Sequence, residues 1–192
     1  MLWDVTKDQN SEYLEYQNKS EYSGVNSVDW NRDDSLLVWV TSLGELFVMD
    51  AARTEILHLE KLTASSGLSH VTFSELYESI FFVGHTSGDL SLGIFDPAGG
   101  LQKTQYDLHT NQITQLISSK LNENLLISLS LDQKVCLFDL NEGQSIQKLN
   151  VGYPILCGDL NEADYTLVVG GVNGMMEKFD LRKLGEPVMT YQ

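Results

Sequence analysis

One arrangement of apolar and polar residues occurs four times along the chain. Each copy is an apolar run, a short polar turn, a second apolar run and an aspartate, and the copies span residues 35–50, 79–96, 124–139 and 165–180. An earlier aspartate in Leu2-Trp3-Asp4 begins the series. The intervals between Asp4, Asp50, Asp96, Asp139 and Asp180 are 46, 46, 43 and 41 residues. A period of about 40–45 residues with strands on both sides of each turn is typical of β-propeller blades.

Two more strand-like segments belong to each copy. One precedes the apolar pair, at 25–30, 68–73, 112–118 and 154–160, and one follows the aspartate, at 54–60, 101–108, 144–150 and 187–192. The runs are short, rich in Val, Ile and Phe, and bounded by Gly, Asn and Asp, whereas helical periodicity is weak. The sequence therefore predicts an all-β fold, a single propeller region over 1–192. We expect complete four-stranded blades at 19–62, 63–108, 109–152 and 153–192, and a partial blade at 1–18.

The register of the repeat also predicts an incomplete ring. Leu2-Trp3-Asp4 matches the end of a third strand and the following residues match a fourth, so the first two strands of that unit are missing. Sheet faces at the two ends of such an array are apolar and need cover. We expect further blades from the same polypeptide or from a second chain, and expect residues 1–192 alone to be unstable or prone to aggregate. A ring that closes on itself is the alternative.

The closing residues of the copies carry a resemblance to a known family. Trp-Asp stands at Trp3-Asp4, ahead of the four copies, and these end in Met49-Asp50, Phe95-Asp96, Phe138-Asp139 and Phe179-Asp180. With its repeat length, the chain resembles the WD-repeat family over nearly all of its length. The resemblance implies a propeller, most often of seven blades, that acts as a scaffold for protein–protein interactions.

The resemblance further implies a buried hydrogen-bond network inside a blade. The third copy offers the nearest match, with His109 before its first strand, Ser128 or Ser130 on its second strand, and Asp132 in the next turn. Phe138 stands where the family has tryptophan, which removes the indole donor. We expect this blade to be the best ordered internally. A catalytic triad is disfavoured because the network lies within a blade and no nucleophile-elbow turn is present.

The sequence predicts neither enzyme activity nor a cofactor or metal site. The glycine-rich stretch 170–174 lacks the lysine and the following helix of a phosphate-binding loop, and a hairpin turn explains it better. Cys136 and Cys157 lack the CxxC spacing of a zinc site, and we expect both to be buried free thiols. No signal peptide or membrane-length apolar run is visible, which predicts a cytoplasmic or nuclear protein.

The net charge of −15, from 27 acidic and 12 basic residues, bears on the partners. Such a surface repels nucleic-acid phosphate and anionic lipid, and it attracts a basic protein such as a histone tail or a ribosomal protein. Simple solubility is the alternative explanation. The acids that follow the first strand of each copy should gather on one rim of the propeller and are the candidate binding residues: Asp33, Asp34, Glu75, Glu78, Glu123, Glu162 and Asp164.

A second candidate site is the segment 167–182, which ends in Phe179-Asp180-Leu181-Arg182. It resembles the WDxR-ended box of propellers that act as substrate receptors of cullin ubiquitin ligases, in which the arginine contacts the adaptor. Asn173 stands where that box has an acid. The alternative is a degenerate blade with an ordinary surface arginine at Arg182.

The repeat register makes predictions about the core. Trp30 and Phe73 occupy equivalent positions on first strands, and Phe95, Phe138 and Phe179 on third strands, so all five should be buried. On the outer face of the fourth copy, the residues that need cover are Leu167, Val169, Met175 and Phe179.

Overall fold

The computed structural model describes residues 23–63, 66–183 and 185–192. These residues form sixteen β-strands in four antiparallel sheets, each with four strands in chain order. The all-β prediction is confirmed, and the sheets are successive blades of a β-propeller. The partial blade predicted at 1–18, with Trp3 and Asp4, lies outside the described residues.

The first two blades are the two sheets of residues 25–61 and 68–107. Blade one comprises β1 (Val25–Trp30), β2 (Leu36–Thr41), β3 (Glu45–Asp50) and β4 (Glu55–Lys61). Blade two comprises β5 (Leu68–Phe73), β6 (Ile80–His85), β7 (Asp89–Asp96) and β8 (Gly100–Asp107).

The other two blades follow with the same connectivity. Blade three comprises β9 (Ile113–Ser118), β10 (Leu125–Ser130), β11 (Lys134–Asp139) and β12 (Gln144–Asn150). Blade four comprises β13 (Ile155–Asn161), β14 (Thr166–Gly171), β15 (Met176–Asp180) and β16 (Met189–Tyr191). The first strands β1, β5, β9 and β13 contact one another in succession and form the inner wall of the array.

The turns between second and third strands explain part of the repeat pattern. Each contains one residue with positive φ, and three of the four are glycines, Gly44, Gly88 and Gly174, which adopt this conformation without steric cost. In blade three Gln133 takes the position with φ 73°. Short turns of this kind bring two apolar runs into register as a hairpin.

The core lies between the blades. Side chains alternate between the two faces of a strand, so each sheet has one face toward the preceding blade and one toward the next. Val38 and Val40 of blade one, both fully buried, pack against Leu68, Val71 and Phe73 of blade two. The same arrangement recurs between blades two and three and between blades three and four.

The prediction that Trp30 is buried is wrong, because its side chain is 42% exposed. Its register partner is Leu37, as Phe81 is the partner of Phe73, so Trp30 and Phe73 are equivalent as expected. Phe73 faces blade one and is 3% exposed. Trp30 faces the corresponding side of blade one, where no described blade packs.

Phe95, Phe138 and Phe179 are buried as predicted, with 3%, 1% and 2% exposure. The prediction that the three occupy equivalent positions is wrong for Phe95. Phe138 and Phe179 pair with Leu126 and Leu167, but the residue at that register in blade two is Gly93, which pairs with Phe81. The β7–β8 hairpin is longer, and Phe95 lies two residues farther along the same face.

Two further expectations are corrected by the direction in which side chains point. Leu167, Val169 and Phe179 face blade three and are buried there, so they do not form the outer face of blade four. Met175 lies in the turn before β15 and is half-buried. Cys136 is buried as expected, but Cys157 is exposed because it faces away from blade three.

In the described parts of the chain, no helix has the length and apolarity needed to cross a membrane.

Candidate functional site

The loops between first and second strands lie together on one edge of the propeller. Direct contacts join each loop to its neighbour: Asn31 Nδ2 donates to the carbonyl of Glu78 at 3.2 Å, and Tyr77 Oη donates to Glu123 Oε2 at 2.6 Å. The Oγ of Ser119 donates to Glu162 Oε2 at 3.1 Å. We call the four loops at residues 31–35, 74–79, 119–124 and 162–165 the acidic edge.

The acidic edge contains every candidate acid predicted from the sequence. Its four loops carry seven carboxylates and two bases, Arg32 and Lys120. The opposite edge is formed by the turns between second and third strands and by the connections between blades. The described loop residues there include a single carboxylate, Asp132, whose side chain is 4% exposed, and Glu45, Asp89 and Asp107 lie at strand ends beside these loops. Negative charge in the loops is therefore strongly concentrated on one edge.

Several carboxylates of the acidic edge are engaged within the protein. Asp33 accepts the hydroxyl and backbone N–H of Ser35, and these bonds lower the pKa of Asp33. Asp164 accepts the Thr166 hydroxyl at 2.6 Å, which lowers its pKa, and the nearby Lys178 ammonium adds to that effect.

Contacts across the loops engage three more carboxylates. Glu162 accepts the backbone N–H of Lys120 at 2.6 Å, Glu75 lies 3.7 Å from the Lys120 ammonium, and Glu123 accepts the Tyr77 hydroxyl. That hydrogen bond raises the pKa of Tyr77.

Two acids of this edge remain available to an external partner. No described residue donates to the carboxylates of Asp34 or Glu78, and both side chains belong to exposed residues. Asp34 adopts φ 58°, a left-handed conformation that aspartate tolerates better than most residues. Exposed apolar groups accompany them on the same loops, with Tyr77 43%, Leu121 65% and Tyr165 41% exposed.

The predicted network of blade three is present on the opposite edge. His109 Nδ1 lies 3.0 Å from Asp132 Oδ2 and His109 Nε2 lies 2.7 Å from Ser128 Oγ. In the neutral ring this geometry has Nδ1–H donating to the carboxylate and Nε2 accepting the serine hydroxyl. Asp132 also accepts the backbone N–H groups of Thr110 and Lys134.

Both candidate serines take part, with different roles. Ser128 binds His109, whereas the Ser130 hydroxyl lies 3.0 Å and 2.9 Å from the carbonyls of Asn111 and Gln112 and accepts the Asp132 N–H at 3.0 Å. The arrangement ties the connection before β9 to the turn after β10. Because the His109 side chain is completely buried, the three groups cannot meet a substrate and act as an internal brace.

Electrostatics support a neutral imidazole in this brace. Burial lowers the pKa of His109, although the Asp132 carboxylate opposes the shift. Burial acts to raise the pKa of Asp132, but the Thr110 N–H and His109 outweigh it, so that pKa is lowered. The carboxylate is thus ionised and acts as an acceptor.

Arg182 lies in the outer loop between β15 and β16 and is exposed. Its Nε and Nη2 atoms both donate to the carboxylate of Asp180 at 2.8 Å, which forms a forked ion pair. The guanidinium lowers the pKa of Asp180 to about 2. The Arg182 side chain is 60% exposed, so the geometry allows contact with a partner protein.

Other polar contacts were not predicted from the sequence. In blade four the Tyr153 hydroxyl donates to the buried Glu177 carboxylate at 3.1 Å, and in blade two His85 Nε2 lies 2.8 Å from Ser91 Oγ. Tyr153 and Glu177 are separated by 24 residues and match no motif of the repeat. One signal was present: Gly171 leaves the space that the Tyr153 ring occupies.

The chain is similar over about two thirds of its length to Protein NEDD1 of three mammals. No protein-family model matches the chain. Protein NEDD1 of Homo sapiens is 23% identical over 128 residues, or 66% of this chain and 19% of that protein. NEDD1 of Mus musculus is 24% identical over 124 residues, or 64% and 18%. NEDD1 of Bos taurus is 23% identical over 128 residues, or 66% and 19%.

The chain therefore spans about a fifth of the length of these curated relatives. NEDD1 is a WD-repeat protein, and the similarity agrees with the four-stranded units of the structure. The WD-type resemblance predicted from the sequence is confirmed.

Proposed function

We propose that this propeller is a non-catalytic scaffold whose acidic edge binds a basic segment of a partner protein. The observation that supports the proposal is the unequal charge of the two edges. Carboxylates added only for solubility need no particular edge, whereas a binding surface for a cationic segment needs them close together.

The composition of the acidic edge suits lysine and arginine side chains. Asp34 and Glu78 offer carboxylates that no described residue engages, so a partner's cation can pair with them without breaking an internal bond. The aliphatic stems of lysine and arginine pack on apolar surface while their charged ends stay in water. Tyr77, Leu121 and Tyr165 provide that surface on three adjacent loops.

A binding measurement with a defined cationic probe tests the proposal. A fluorescent Lys-Ser repeat peptide should bind the chain at about 0.05 M salt and more weakly at about 0.15 M, because exposed charges are increasingly screened. The double variant Asp34→Asn with Glu78→Gln should weaken binding about fivefold, since two exposed ion pairs are lost. Asparagine is chosen because it tolerates the positive φ of Asp34.

A matched control separates a binding edge from overall charge. Asp107→Asn with Thr110→Lys changes the net charge by the same two units at exposed residues beside the opposite edge. This variant should bind the peptide as tightly as the unmodified chain. Equal weakening by both double variants, or no binding of the peptide to the unmodified chain, would refute the proposal.

A further inference from the structure

We propose that Tyr77 is a modification site: a tyrosine kinase that prefers acidic substrates transfers a phosphoryl group to its hydroxyl, and the phosphate breaks the contact between the loops of blades two and three. These loops are residues 74–79 and 119–124 of the acidic edge, and the Tyr77 hydroxyl joins them through Glu123. Blades one and four flank this pair of blades. The 43% exposure of Tyr77 therefore does not result from a missing neighbour.

The turn that carries Tyr77 forms equally well without a tyrosine. The Ser74 hydroxyl accepts the backbone N–H groups of the second and third residues after it, at 3.3 Å and 3.2 Å. Ser119 does the same in blade three, at 3.3 Å and 2.9 Å, and there Asn122 takes the place of Tyr77. What the tyrosine adds is an exposed ring and a hydroxyl that binds Glu123.

Tyr77 is the most accessible acceptor among the tyrosines that the structure describes. Tyr106 and Tyr191 lie within strands, Tyr153 is buried, and Tyr165 directly precedes β14. Tyr77 has loop residues on both sides, 74–76 before it and 78–79 after it. Exposed loops of this kind are where an enzyme that acts on the chain gains access.

The main chain of this loop is held weakly. Its N–H bonds include Glu75 to the Ser118 hydroxyl at 3.2 Å and Ile80 to the Tyr77 carbonyl at 3.4 Å, both longer than an ordinary hydrogen bond. The base of the loop is closed by the N–H of Ser74, which donates to the Ile80 carbonyl at 2.8 Å. The segment between can therefore enter a kinase groove while the sheet stays paired.

The charge around the acceptor indicates the class of kinase. Glu75 and Glu78 stand on either side of Tyr77, both are exposed, and residues 74–79 contain no base. Complementary charge speeds the encounter of two proteins and excludes wrong partners. The loop therefore suits a tyrosine kinase whose substrate groove carries lysine and arginine.

The transfer consumes a nucleoside triphosphate that the kinase holds with Mg²⁺. The Tyr77 Oη attacks the γ-phosphorus, the bond from that phosphorus to the bridging oxygen breaks, and a nucleoside diphosphate leaves. The phenol proton passes to a base of the kinase. Since Glu123 raises the pKa of Tyr77, the hydroxyl is protonated until the kinase draws it away from that carboxylate.

The phosphate changes the contact between the two loops. It carries about −1.5 to −2 charges at pH 7, and the ester oxygen has no proton to donate, so Glu123 is repelled and released. Lys120 is the single base in the sequence of the two loops, and its ammonium lies 3.7 Å from Glu75. The phosphate therefore competes with Glu75 for Lys120.

One consequence rests on the proposed function of the acidic edge. The phosphate and the released Glu123 both add negative charge that a basic segment of a partner can pair with. Phosphorylation of Tyr77 should therefore strengthen the binding of that segment.

The first experiment incubates the folded full chain with an active kinase domain of this class, Mg²⁺ and ATP. One phosphoryl group should appear in the tryptic peptide 62–103, in which Tyr77 is the only tyrosine. Glu75→Gln with Glu78→Gln should slow this transfer about tenfold, whereas Asp107→Asn with Glu142→Gln, at exposed residues remote in sequence, should not. No transfer to this peptide, transfer only after unfolding in urea, or equal slowing by both double variants would overturn the proposal.

A second experiment tests the broken contact without a kinase. Phosphotyrosine introduced at position 77 during synthesis should speed amide hydrogen exchange in residues 120–124 about fivefold, because a hydrogen bond to a charged group is lost. Tyr77→Phe should have the same effect, and residues 141–143 of the β11–β12 loop serve as the unchanged reference. Unchanged exchange in the phosphorylated chain would also overturn the proposal.

A third measurement separates this inference from the proposed function. The phosphorylated chain should bind the Lys-Ser repeat peptide about fivefold more tightly than the unmodified chain, whereas Tyr77→Phe should change binding by less than about twofold. If the peptide binds neither form, the proposed function fails, and transfer and exchange still decide the modification site. If it binds the unmodified chain and the phosphate does not tighten binding, regulation through Tyr77 is refuted.

Discussion

Blades three and four have the same register but brace their strands with different chemistry. In blade three, His109 links Ser128 on the second strand to Asp132 in the next turn. In blade four, Tyr153 reaches the third strand and binds Glu177, and no histidine is present. Backbone pairing and alternating apolar residues therefore set the register in both blades, and the polar brace is replaceable.

The two blades also differ in how their faces are covered. Ile127 of blade three is fully buried by blade four, whereas the equivalent Val168 is half-buried beside an open groove. Substitutions on the face that points away from the preceding blade should therefore cost less in blade four, because no described blade covers that face.

The largest expected effect concerns the equivalent phenylalanines of blades three and four, which both face the preceding blade. Phe138→Ala should lower the free energy of unfolding by about 4 kcal/mol, and the equivalent Phe179→Ala by about 3 kcal/mol. Phe138 is 1% exposed and meets Tyr106 edge-on at 4.9 Å between ring centroids, and alanine cannot make this aromatic interaction. Urea unfolding of both variants measures the difference. A larger loss for Phe179→Ala would contradict the comparison.

A smaller effect tests the brace of blade four. A Cβ on Gly171 would lie 2.1 Å from Cδ2 of Tyr153, so Gly171→Ala must displace the ring from Glu177. We expect a loss of about 2 kcal/mol, measured as a lower thermal midpoint. Gly185→Ala is the control, since a Cβ on Gly185 would meet no atom within 4 Å. Similar midpoints for the two variants would show that the brace does not contribute.

The third prediction concerns pH. Burial lowers the pKa of His70, His85 and His109 from the ordinary value of 6.5. Above pH 6.5 these groups are neutral in both states and the full stability is present. As pH falls below 6.5, the unfolded chain binds protons that the folded chain resists, so stability decreases.

These three histidines lie in blade two or in the connection to blade three. Hydrogen exchange should therefore accelerate in blades two and three before blade four as the pH is lowered from 7 to 5. His85 has an unpaired buried Nδ1 in the described structure, and His85→Gln should reduce the slope of stability against pH in this window. Exchange that accelerates first in blade four would contradict the assignment.

The smallest effect on stability is expected for Arg182→Ala. The Arg182 side chain is 60% exposed and pairs only with Asp180 among the described residues, so the thermal midpoint should change little. If the ligase-receptor hypothesis holds, the same variant should abolish co-purification of a cullin-ligase adaptor. Unchanged recovery of the adaptor, or none with the unmodified chain, would remove that hypothesis.

Sequence reasoning predicted the sheets because the repeat encodes them locally. The alternating runs and the turn glycines fix hairpins, and the position of His109, Ser128 and Asp132 follows from the same register. The acidic loops were likewise predictable, since each follows a first strand.

The predictions that were wrong, and the contact that was missed, concern packing between blades. Trp30 is exposed because no described blade packs on its side of blade one. Phe95 lies two residues farther along because the β7–β8 hairpin is longer, and the spacing of the aspartates gives no sign of this difference. The outward direction of Cys157 and the Tyr153–Glu177 contact require knowing which face of a strand meets which blade. Motif spacing within one repeat does not contain that information.

The contacts between first strands have a consequence for how such a chain can evolve. Asn26 donates to the carbonyl of Leu68 and Thr114 to that of Ile155, while Asp29 accepts the N–H of Phe73. In each case the following blade contributes a main-chain group, a carbonyl or an N–H, which does not depend on the side chain at that position. These polar contacts can then survive most substitutions in the following unit, while the apolar side chains between blades must still fit one another. Duplication, exchange or divergence of single blades is tolerated for the same reason.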